Sequence, residues 1–298
     1  MVSITRILCP VDFSDFSRHA LDWATGIARW YDAEISALHV VPPITAPAPP
    51  TGEGLYPPLV FSAEDLQQFR TELDTFAHAP DMPALDTQVV QGNVAGEIVR
   101  LATGLPADLV VMGTHGRSGF ERLMLGSVTE RVLRKSPCPV LTVPARAPVV
   151  VPVNGLFGRI ICAVDFSPVS LHALALAQSL AGEAAARLCV LHVLEPVSVF
   201  EPVVATGPKL PAASADLCRK ARHRIEELIG DDTRAFTDVA EVVVAGKPYQ
   251  EILRVASEQS ADLIVIGVHG GHAGLPAFGS TTNHVVRQAL CPVLTVRP

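Results

Sequence analysis

Residues 107–113 read Ala107-Asp-Leu-Val-Val-Met-Gly113, a short apolar run that ends at a glycine. The run lacks the alternation of polar and apolar residues expected of a strand with one face in water. It therefore predicts a strand that is buried on both faces of a parallel sheet. The terminal glycine predicts a loop in which the backbone approaches another group closely. Together these features indicate an α/β protein with helices on both faces of the sheet.

The same stretch occurs a second time, as Ala261-Asp-Leu-Ile-Val-Ile-Gly267. The segment Arg6-Ile-Leu-Cys-Pro-Val-Asp-Phe-Ser14 likewise returns as Arg159-Ile-Ile-Cys-Ala-Val-Asp-Phe-Ser167, at an offset of 153 residues (159 − 6). An offset this long is the size of a domain and not of a solenoid repeat. The predicted organisation is a first domain at 1–146, a linker at 147–158 and a second domain at 159–298.

Strand and helix patterns alternate within each copy. Five apolar strand segments are separated by amphipathic helix segments, which predicts a doubly wound parallel sheet of five strands per domain. Ligands of such sheets bind at the carboxyl ends of the strands, where the strand order reverses. The predicted first-copy elements are strands at Arg6–Asp12, Glu34–Val40, Thr87–Gln91, Asp108–Gly113 and Pro139–Val143, and helices after Ser14 or Asp15 and at Ala63–His78, Glu97–Thr103 and Ser127–Lys135.

Composition and charge exclude several classes of protein. With 49% hydrophobic and 18% charged residues, the 298-residue chain has ample material for buried cores. Its apolar runs are far too short to cross a bilayer. The net charge is −7, and no basic arm is present, which argues against nucleic-acid binding. Six cysteines without Cys-x-x-Cys spacing, and the lack of a secretory signal, predict a cytoplasmic protein.

The loop after the buried strand carries the clearest chemical signal. Gly113 and Gly116 follow the strand, and Gly126 and Ser127 open the next helix. Glycines let backbone N–H groups approach an anion, and a helix start adds unpaired donors and the positive end of the helix dipole. Ser127 and Thr129 could add hydroxyl donors, and Arg117 a cation. These parts suit a di- or triphosphate, although a glycine-rich turn before a helix cap is the simpler interpretation of one isolated Gly-x-x-Gly.

The full spacing, Gly-x2-Gly-x9-Gly-Ser, resembles the ATP-binding motif of the universal stress protein family. Pro10-Val-Asp12, Leu38-His-Val40 and the Cys-Pro-Val-Leu-Thr-Val sequence of the last strand extend the resemblance over nearly the whole chain. The resemblance implies two Rossmann-like domains in tandem that bind ATP, ADP or AMP, with Mg²⁺ held chiefly through the phosphates.

Site residues follow from this resemblance. Asp12 would contact the ribose or adenine, with Pro10 and Val11 beside it; a strand-end turn or helix cap is the alternative interpretation of Asp12. Val40 would pack on the adenine through its backbone, and Met112 would line the cleft. The phosphates would be held by Gly113, His115, Gly116, Arg117, Gly126 and Ser127, with Val128 and Thr129 beside them.

The second copy departs from this motif. Eight residues instead of nine separate Gly270 from Gly279, and Gly271 replaces Arg117. We therefore expect weaker nucleotide binding there than in the first domain. Its corresponding site residues are Asp165, Val193, Gly267, His269, Gly270, Gly279, Ser280 and Thr281.

Recurring histidines and cysteines do not indicate a metal site. The histidine pairs, such as His39 and His192, lack zinc-ligand spacing, and their recurrence follows from duplication. The recurring cysteines are predicted to be core thiols; they are Cys9, Cys162, Cys138 and Cys291.

Three functions remain open at this point. The first is a nucleotide-dependent regulator of the stress response that acts through unidentified protein partners. The second is an enzyme, at most a slow ATPase, because the chain has no Walker-type loop: the one Gly-Lys pair, Gly246-Lys247, is followed by Pro248. The third is a nucleotide-free interaction scaffold. The resemblance also implies an intramolecular pseudo-dimer through the last strands, Pro139–Val143 and Pro292–Val296, with further homodimerisation left open.

Overall fold

A computed structural model describes residues 3–43, 61–78, 85–116, 125–148, 156–195, 212–268 and 279–297. The chain divides into two compact units, one at Ser3–Leu156 and one composed mainly of Phe157–Pro298. The bounds predicted for domains and linker remain predictions, and each unit is described by itself.

The first unit is a five-stranded parallel sheet, as predicted. Its strands lie in the order β3-β2-β1-β4-β5, so the order reverses between β1 and β4. The elements in chain order are β1 Arg6–Pro10, α1 Asp15–Tyr31, β2 Glu34–Val41, α2 Ala63–Ala77, β3 Leu85–Gln91, α3 Val94–Gly104, β4 Leu109–Gly113, α4 Ser127–Lys135 and β5 Val140–Val143.

The second unit repeats this topology, with strand order β8-β7-β6-β9-β10. Its elements are β6 Arg159–Ala163, α5 Pro168–Ala184, β7 Arg187–Leu194, α6 Ala212–Phe236, β8 Val239–Ala245, α7 Pro248–Glu258, β9 Leu263–Gly267, α8 Ser280–Gln288 and β10 Val293–Val296. Helix α6 is interrupted at Gly230, where φ is +60°, a backbone conformation that favours glycine.

Helices pack in pairs, α1 with α2 and α3 with α4, as expected of a doubly wound sheet. Every residue of β4 and of β9 is buried, which confirms that these apolar runs are central strands. Helix α3 begins three residues earlier than predicted, because Asn93 caps it by accepting a hydrogen bond from the Gly96 N–H at 3.0 Å. Strand β1 ends two residues before the predicted Asp12, because the chain turns there into α1.

Recurring cysteines lie in the two cores, as predicted. Burial raises the pKa of the thiols of Cys9 and Cys291 to about 12, and it also raises the pKa of Cys138 and Cys162. A thiol that stays protonated at neutral pH is a poor nucleophile and a poor metal ligand. In the described part of the chain no helix is long and apolar enough to cross a membrane.

Candidate functional site

The candidate site lies at the carboxyl ends of β1 and β4, where the strand order reverses. Asp12 follows β1, and Gly113 is the last residue of β4. The two strands are hydrogen-bonded neighbours, so their following loops begin side by side. This adjacency brings the aspartate and the glycine motif of the sequence to one edge of the sheet.

The junction between β1 and α1 is a short, tightly bonded turn. The Val11 N–H donates to the Leu38 carbonyl on β2 at 2.8 Å, and Asp12 Oδ1 accepts from the Ser14 N–H at 3.1 Å. Phe13, between them, has φ of +63°. Ser14, rather than Asp15, caps α1, because its hydroxyl oxygen accepts from the Ser17 N–H. Asp12 therefore belongs to a strand-end turn, and this turn also fixes where its half-buried carboxylate points.

The first half of the glycine loop contacts this turn directly. A Cβ at residue 113 would lie 3.1 Å from the Phe16 carbonyl oxygen, and a Cβ at residue 116 would lie 2.7 Å from Oδ2 of Asp12. At residue 113 the close neighbour is backbone, which favours glycine there, whereas at residue 116 it is the end of the Asp12 side chain, which would have to move to admit a Cβ. Between them, the Thr114 hydroxyl and His115 Nδ1 form a hydrogen bond of 2.9 Å. His115 Nε2 is shielded from solvent and has no hydrogen-bond partner in the described residues.

The second half of the loop returns to the same place. The Gly126 N–H donates to the Thr114 carbonyl at 3.0 Å, and a Cβ at residue 126 would lie 3.8 Å from the Cα of His115. The two halves of the glycine motif are therefore in contact at Thr114 and His115.

Helix α4 starts at this point with a glycine cap. Helices α1, α2 and α3 are capped by the side chains of Ser14, Ser62 and Asn93, whereas Gly126 has no side chain with which to cap α4. Helix geometry leaves the first backbone N–H groups of α4 without intrahelical partners. Those N–H groups and the helix dipole favour an anion, and the side chain of Ser127 at this end is exposed.

Thr129 has a different role from the one that its position suggests. Its side chain is buried, and its hydroxyl donates to the Gly113 carbonyl at 3.1 Å. The hydroxyl proton is therefore used to join α4 to the end of β4, and only the backbone of Thr129 could face a ligand. Val128, beside it, is half-buried.

An apolar wall stands beside Asp12. Val40 and Met112 are buried at the ends of β2 and β4, and Pro10 is half-buried at the end of β1. The Phe13 ring packs against the His39 ring, with centroids 4.5 Å apart, and against Phe76 of α2 at 5.5 Å. An aromatic base could pack on a surface of this kind, since adenine is itself flat and apolar on its faces.

The second domain reproduces the turn and differs in the wall. Asp165 Oδ1 accepts from the Ser167 N–H at 3.0 Å, but Asp165 is exposed and Val193 only half-buried. Gly279 caps α8 without a side chain, as Gly126 caps α4. In this domain the Thr282 hydroxyl donates to the Gly267 carbonyl at 2.7 Å and so joins α8 to the end of β9. Of the two predicted site residues beside it, Thr281 is half-buried and Ser280 is exposed.

Some predicted features lie outside the described residues. They are Arg117, His269 and Gly270. The described residues contain no group of three histidine, cysteine or acidic side chains that could hold a metal ion. Mg²⁺ bound through phosphates would not need such a group.

Two residues of the site were not predicted from the sequence. His39 anchors the turn, because its Nδ1 lies 2.8 Å from the Val11 carbonyl oxygen, and Phe13 packs on its ring. The duplication could have drawn attention to them, since Phe166 and His192 recur at the same offset. The recurrence alone does not say what the residues contact.

Comparison with known proteins agrees with this architecture. The model of the universal stress protein family matches residues 3–144 and again 156–297. The universal stress protein MJ0531 of Methanocaldococcus jannaschii is 38% identical over 141 residues, which cover 46% of this chain and 81% of that protein. A universal stress protein of Mycolicibacterium smegmatis is 26% identical over 310 residues, covering 98% of this chain and 97% of the relative.

The crystal structure of a universal stress protein from Archaeoglobus fulgidus has the same fold. Its TM-score is 0.67 at 24% identity, and the match covers 98% of this chain and 96% of that one. Two matched segments, a duplicated doubly wound fold and full-length relatives lead to one conclusion: this chain belongs to the universal stress protein family and carries two of its domains in tandem.

Proposed function

We propose that the first domain binds an adenine nucleotide, ATP or else ADP or AMP, and that the chain acts as a nucleotide-dependent regulator of the stress response. The carrying observation is the convergence of three groups at one sheet edge. Gly116 contacts the Asp12 carboxylate, Gly126 contacts Thr114 and His115, and the start of α4, which no side chain caps, follows directly. A ligand with a polar sugar and an anionic tail matches this arrangement.

Each group has a role in this proposal. The Asp12 carboxylate accepts hydrogen bonds from ribose hydroxyls, and the apolar wall at Val40 and Met112 receives the base. Backbone N–H groups of the glycine loop and of the start of α4 hold the phosphates. His115 Nε2, which is shielded and lacks a partner within the described residues, is a further group that a phosphate oxygen would satisfy. When Mg²⁺ is bound, it neutralises phosphate charge.

Efficient catalysis is not part of the proposal. The chain lacks a Walker-type phosphate loop, so we propose at most weak ATP hydrolysis. Cytoplasmic location, unidentified protein partners, pairing of the last strands and homodimerisation also remain predictions.

The test compares the two domains within one chain. Nucleotide is counted by mass spectrometry after denaturing the purified protein, and affinity is measured by calorimetry for the wild type, Asp12→Asn and Asp165→Asn. Asparagine keeps an oxygen that can accept from the Ser14 N–H but removes the charge. Loss of a hydrogen bond to a charged group should weaken ATP binding by about 10- to 100-fold in Asp12→Asn.

The matched variant Asp165→Asn should change the dominant affinity by less than about threefold, which corresponds to well under 1 kcal/mol. Equal losses from both variants would contradict the ranking of the sites. No bound nucleotide after purification, together with no ATP binding by calorimetry, would favour the scaffold function instead.

A further inference from the structure

The strongest repeated feature outside the nucleotide motif is a histidine bonded to the turn that carries the aspartate. His39 Nδ1 lies 2.8 Å from the Val11 carbonyl oxygen, and His192 Nδ1 lies 2.8 Å from the Val164 carbonyl oxygen. A carbonyl oxygen can only accept, so in both cases Nδ1 carries the proton and donates. The duplication thus presents the same contact twice, within two different sets of surroundings.

This contact fixes the peptide plane directly before Asp12. The Val11 N–H is already bonded to Leu38 on β2, at 2.8 Å. The bond from His39 holds the carbonyl end of the same residue, so rotation of the Val11–Asp12 peptide is restrained. The direction in which the Asp12 side chain leaves the backbone follows from that plane.

The ring of the histidine holds the next residue as well. Phe13 has φ of +63° and Phe166 has φ of +63°, a conformation that is a genuine outlier for a bulky side chain. Their rings pack on the histidine rings with centroids 4.5 Å and 4.6 Å apart. Such backbone geometry persists only when the surrounding structure enforces it, and it tends to occur at functional sites.

The strained residue in turn closes the aspartate turn. With Phe13 in this conformation, the Ser14 N–H reaches Asp12 Oδ1 at 3.1 Å, and in the second domain the Ser167 N–H reaches Asp165 Oδ1 at 3.0 Å. Oδ2 of Asp12 then faces Gly116. Histidine, phenylalanine and serine therefore act on the aspartate in one continuous chain of contacts.

We propose that His39 is a positioning residue for the Asp12 carboxylate, and that His192 does the same for Asp165. The bond from Nδ1 and the packing of the ring on Phe13 pre-orient the carboxylate before any ligand arrives. This deepens the proposed function, and it rests on that function only where binding is measured. A merely structural core histidine would support the fold without affecting the direction of Asp12.

The first experiment needs no ligand. Amide hydrogen exchange at Ser14 and Ser167 is measured by NMR on the full chain for the wild type, His39→Phe, His39→Asn and His192→Phe. Phenylalanine keeps a ring but has no donor, and asparagine can place its amide donor near the position of Nδ1. His39→Phe should speed exchange at Ser14 by about tenfold, the worth of one hydrogen bond, and His39→Asn should restore part of the protection, because the donor returns without the ring that packs on Phe13.

His192→Phe is the matched control and should speed exchange at Ser167 while leaving Ser14 unchanged. If His39→Phe does not fold, His192→Phe tests the same proposal, because His192 is half-buried and water can satisfy the Val164 carbonyl without holding its orientation. The proposal would be overturned if a folded His39→Phe left exchange at Ser14 unchanged, or if a folded His192→Phe left exchange at Ser167 unchanged.

The second experiment uses ATP and 2′,3′-dideoxy-ATP as probes. Wild-type protein should prefer ATP by about tenfold, because only ATP offers ribose hydroxyls to Asp12. His39→Phe should lose this preference, whereas a structural role would weaken both probes equally and would overturn the proposal. If the wild type binds neither probe, the proposed function fails, and hydrogen exchange alone decides the role of His39.

Discussion

The turn between the first strand and the first helix has the same aspartate–serine hydrogen bond, the same positive φ and the same histidine contact in both domains. The residues that surround this turn differ. In the first domain the Phe13 ring contacts Phe76 of α2, and Asp12 is half-buried. In the second, the guanidinium of Arg224 lies 4.3 Å above the Phe166 ring, and Asp165 is exposed.

The comparison shows which features both copies of the domain have retained and which have changed between them. The retained parts are backbone hydrogen bonds, a positive φ and glycine caps, all of which depend on local chain geometry. The altered parts are side chains from helices that pack over the turn. Both domains keep the framework of the proposed site, and among the described residues Asp12 is better enclosed than Asp165.

The largest expected difference concerns the glycines that end β4 and β9. A Cβ at residue 113 would press on backbone, 3.1 Å from the Phe16 carbonyl oxygen, while at residue 267 the nearest atom is Cγ1 of Val169, at 3.0 Å, which can rotate away. Gly113→Val should therefore destabilise its domain by about 1–3 kcal/mol through overpacking and weaken ATP binding at least about tenfold. Gly267→Val should cost less on both counts.

Both tryptophans lie on α1, so denaturant unfolding followed by their fluorescence reports the first domain, and hydrogen exchange in β9 reports the second. Gly104→Ala is the control, because no atom lies within 4 Å of the added Cβ. If Gly113→Val left the stability of the first domain and its ATP affinity unchanged, the close approach at the end of β4 would not require a glycine.

A smaller difference is expected where β1 and β6 begin. Asp108 Oδ2 accepts from the Thr5 N–H, the Thr5 hydroxyl and the Arg6 N–H, whereas Asp262 Oδ2 accepts from two backbone N–H groups, those of Gly158 and Arg159. Partial burial acts to raise the pKa of Asp108, but the hydrogen bonds outweigh it and hold that pKa below its ordinary value. Asp108→Asn should cost the first domain about 1 kcal/mol at pH 7, since the site is partly exposed.

The pH dependence follows from the sign of that shift. A carboxyl whose pKa is lower in the folded state stabilises the fold above its unfolded pKa of about 3.9 and loses this effect as the pH falls through the folded value. Wild type and Asp108→Asn should therefore differ in their free energy of unfolding at pH 7, and this difference should shrink below pH of about 4. Denaturant unfolding followed by tryptophan fluorescence measures it. A difference that persists unchanged in strong acid would contradict the assignment.

The smallest difference concerns the last helix of each domain. Arg134 and Glu130 form an ion pair of 2.7 Å on α4, while Asn283 replaces the glutamate on α8, where Arg287 Nε is shielded and has no hydrogen-bond partner in the described residues. Asn283→Glu should stabilise the second domain by about 0.3–0.5 kcal/mol, the usual value of an exposed i,i+4 pair. Hydrogen exchange in α8 at low salt measures this effect, and Asn283→Gln, which has the same length without the charge, is the control. Equal effects of Asn283→Glu and Asn283→Gln would exclude the ion pair as the cause.

The sequence by itself determined the duplicated fold, the buried central strands and, to within one residue, most of the element ends in the first copy. Val110 and Val111 stand in an unbroken apolar run, and apolar periodicity together with glycine and capping residues is local information. It also placed Asp12 and the glycines at one edge, because parallel strands end together.

Tertiary structure alone decided how those residues are used. The sequence does not reveal that the hydroxyl of Thr129 turns inward to the Gly113 carbonyl, that Gly116 approaches Asp12, or that His39 holds the Val11 carbonyl. Each contact joins residues that are distant along the chain. Periodicity fixes the face on which a side chain lies, but a hydrogen-bond partner is chosen only when neighbouring elements pack and buried polar groups must be satisfied.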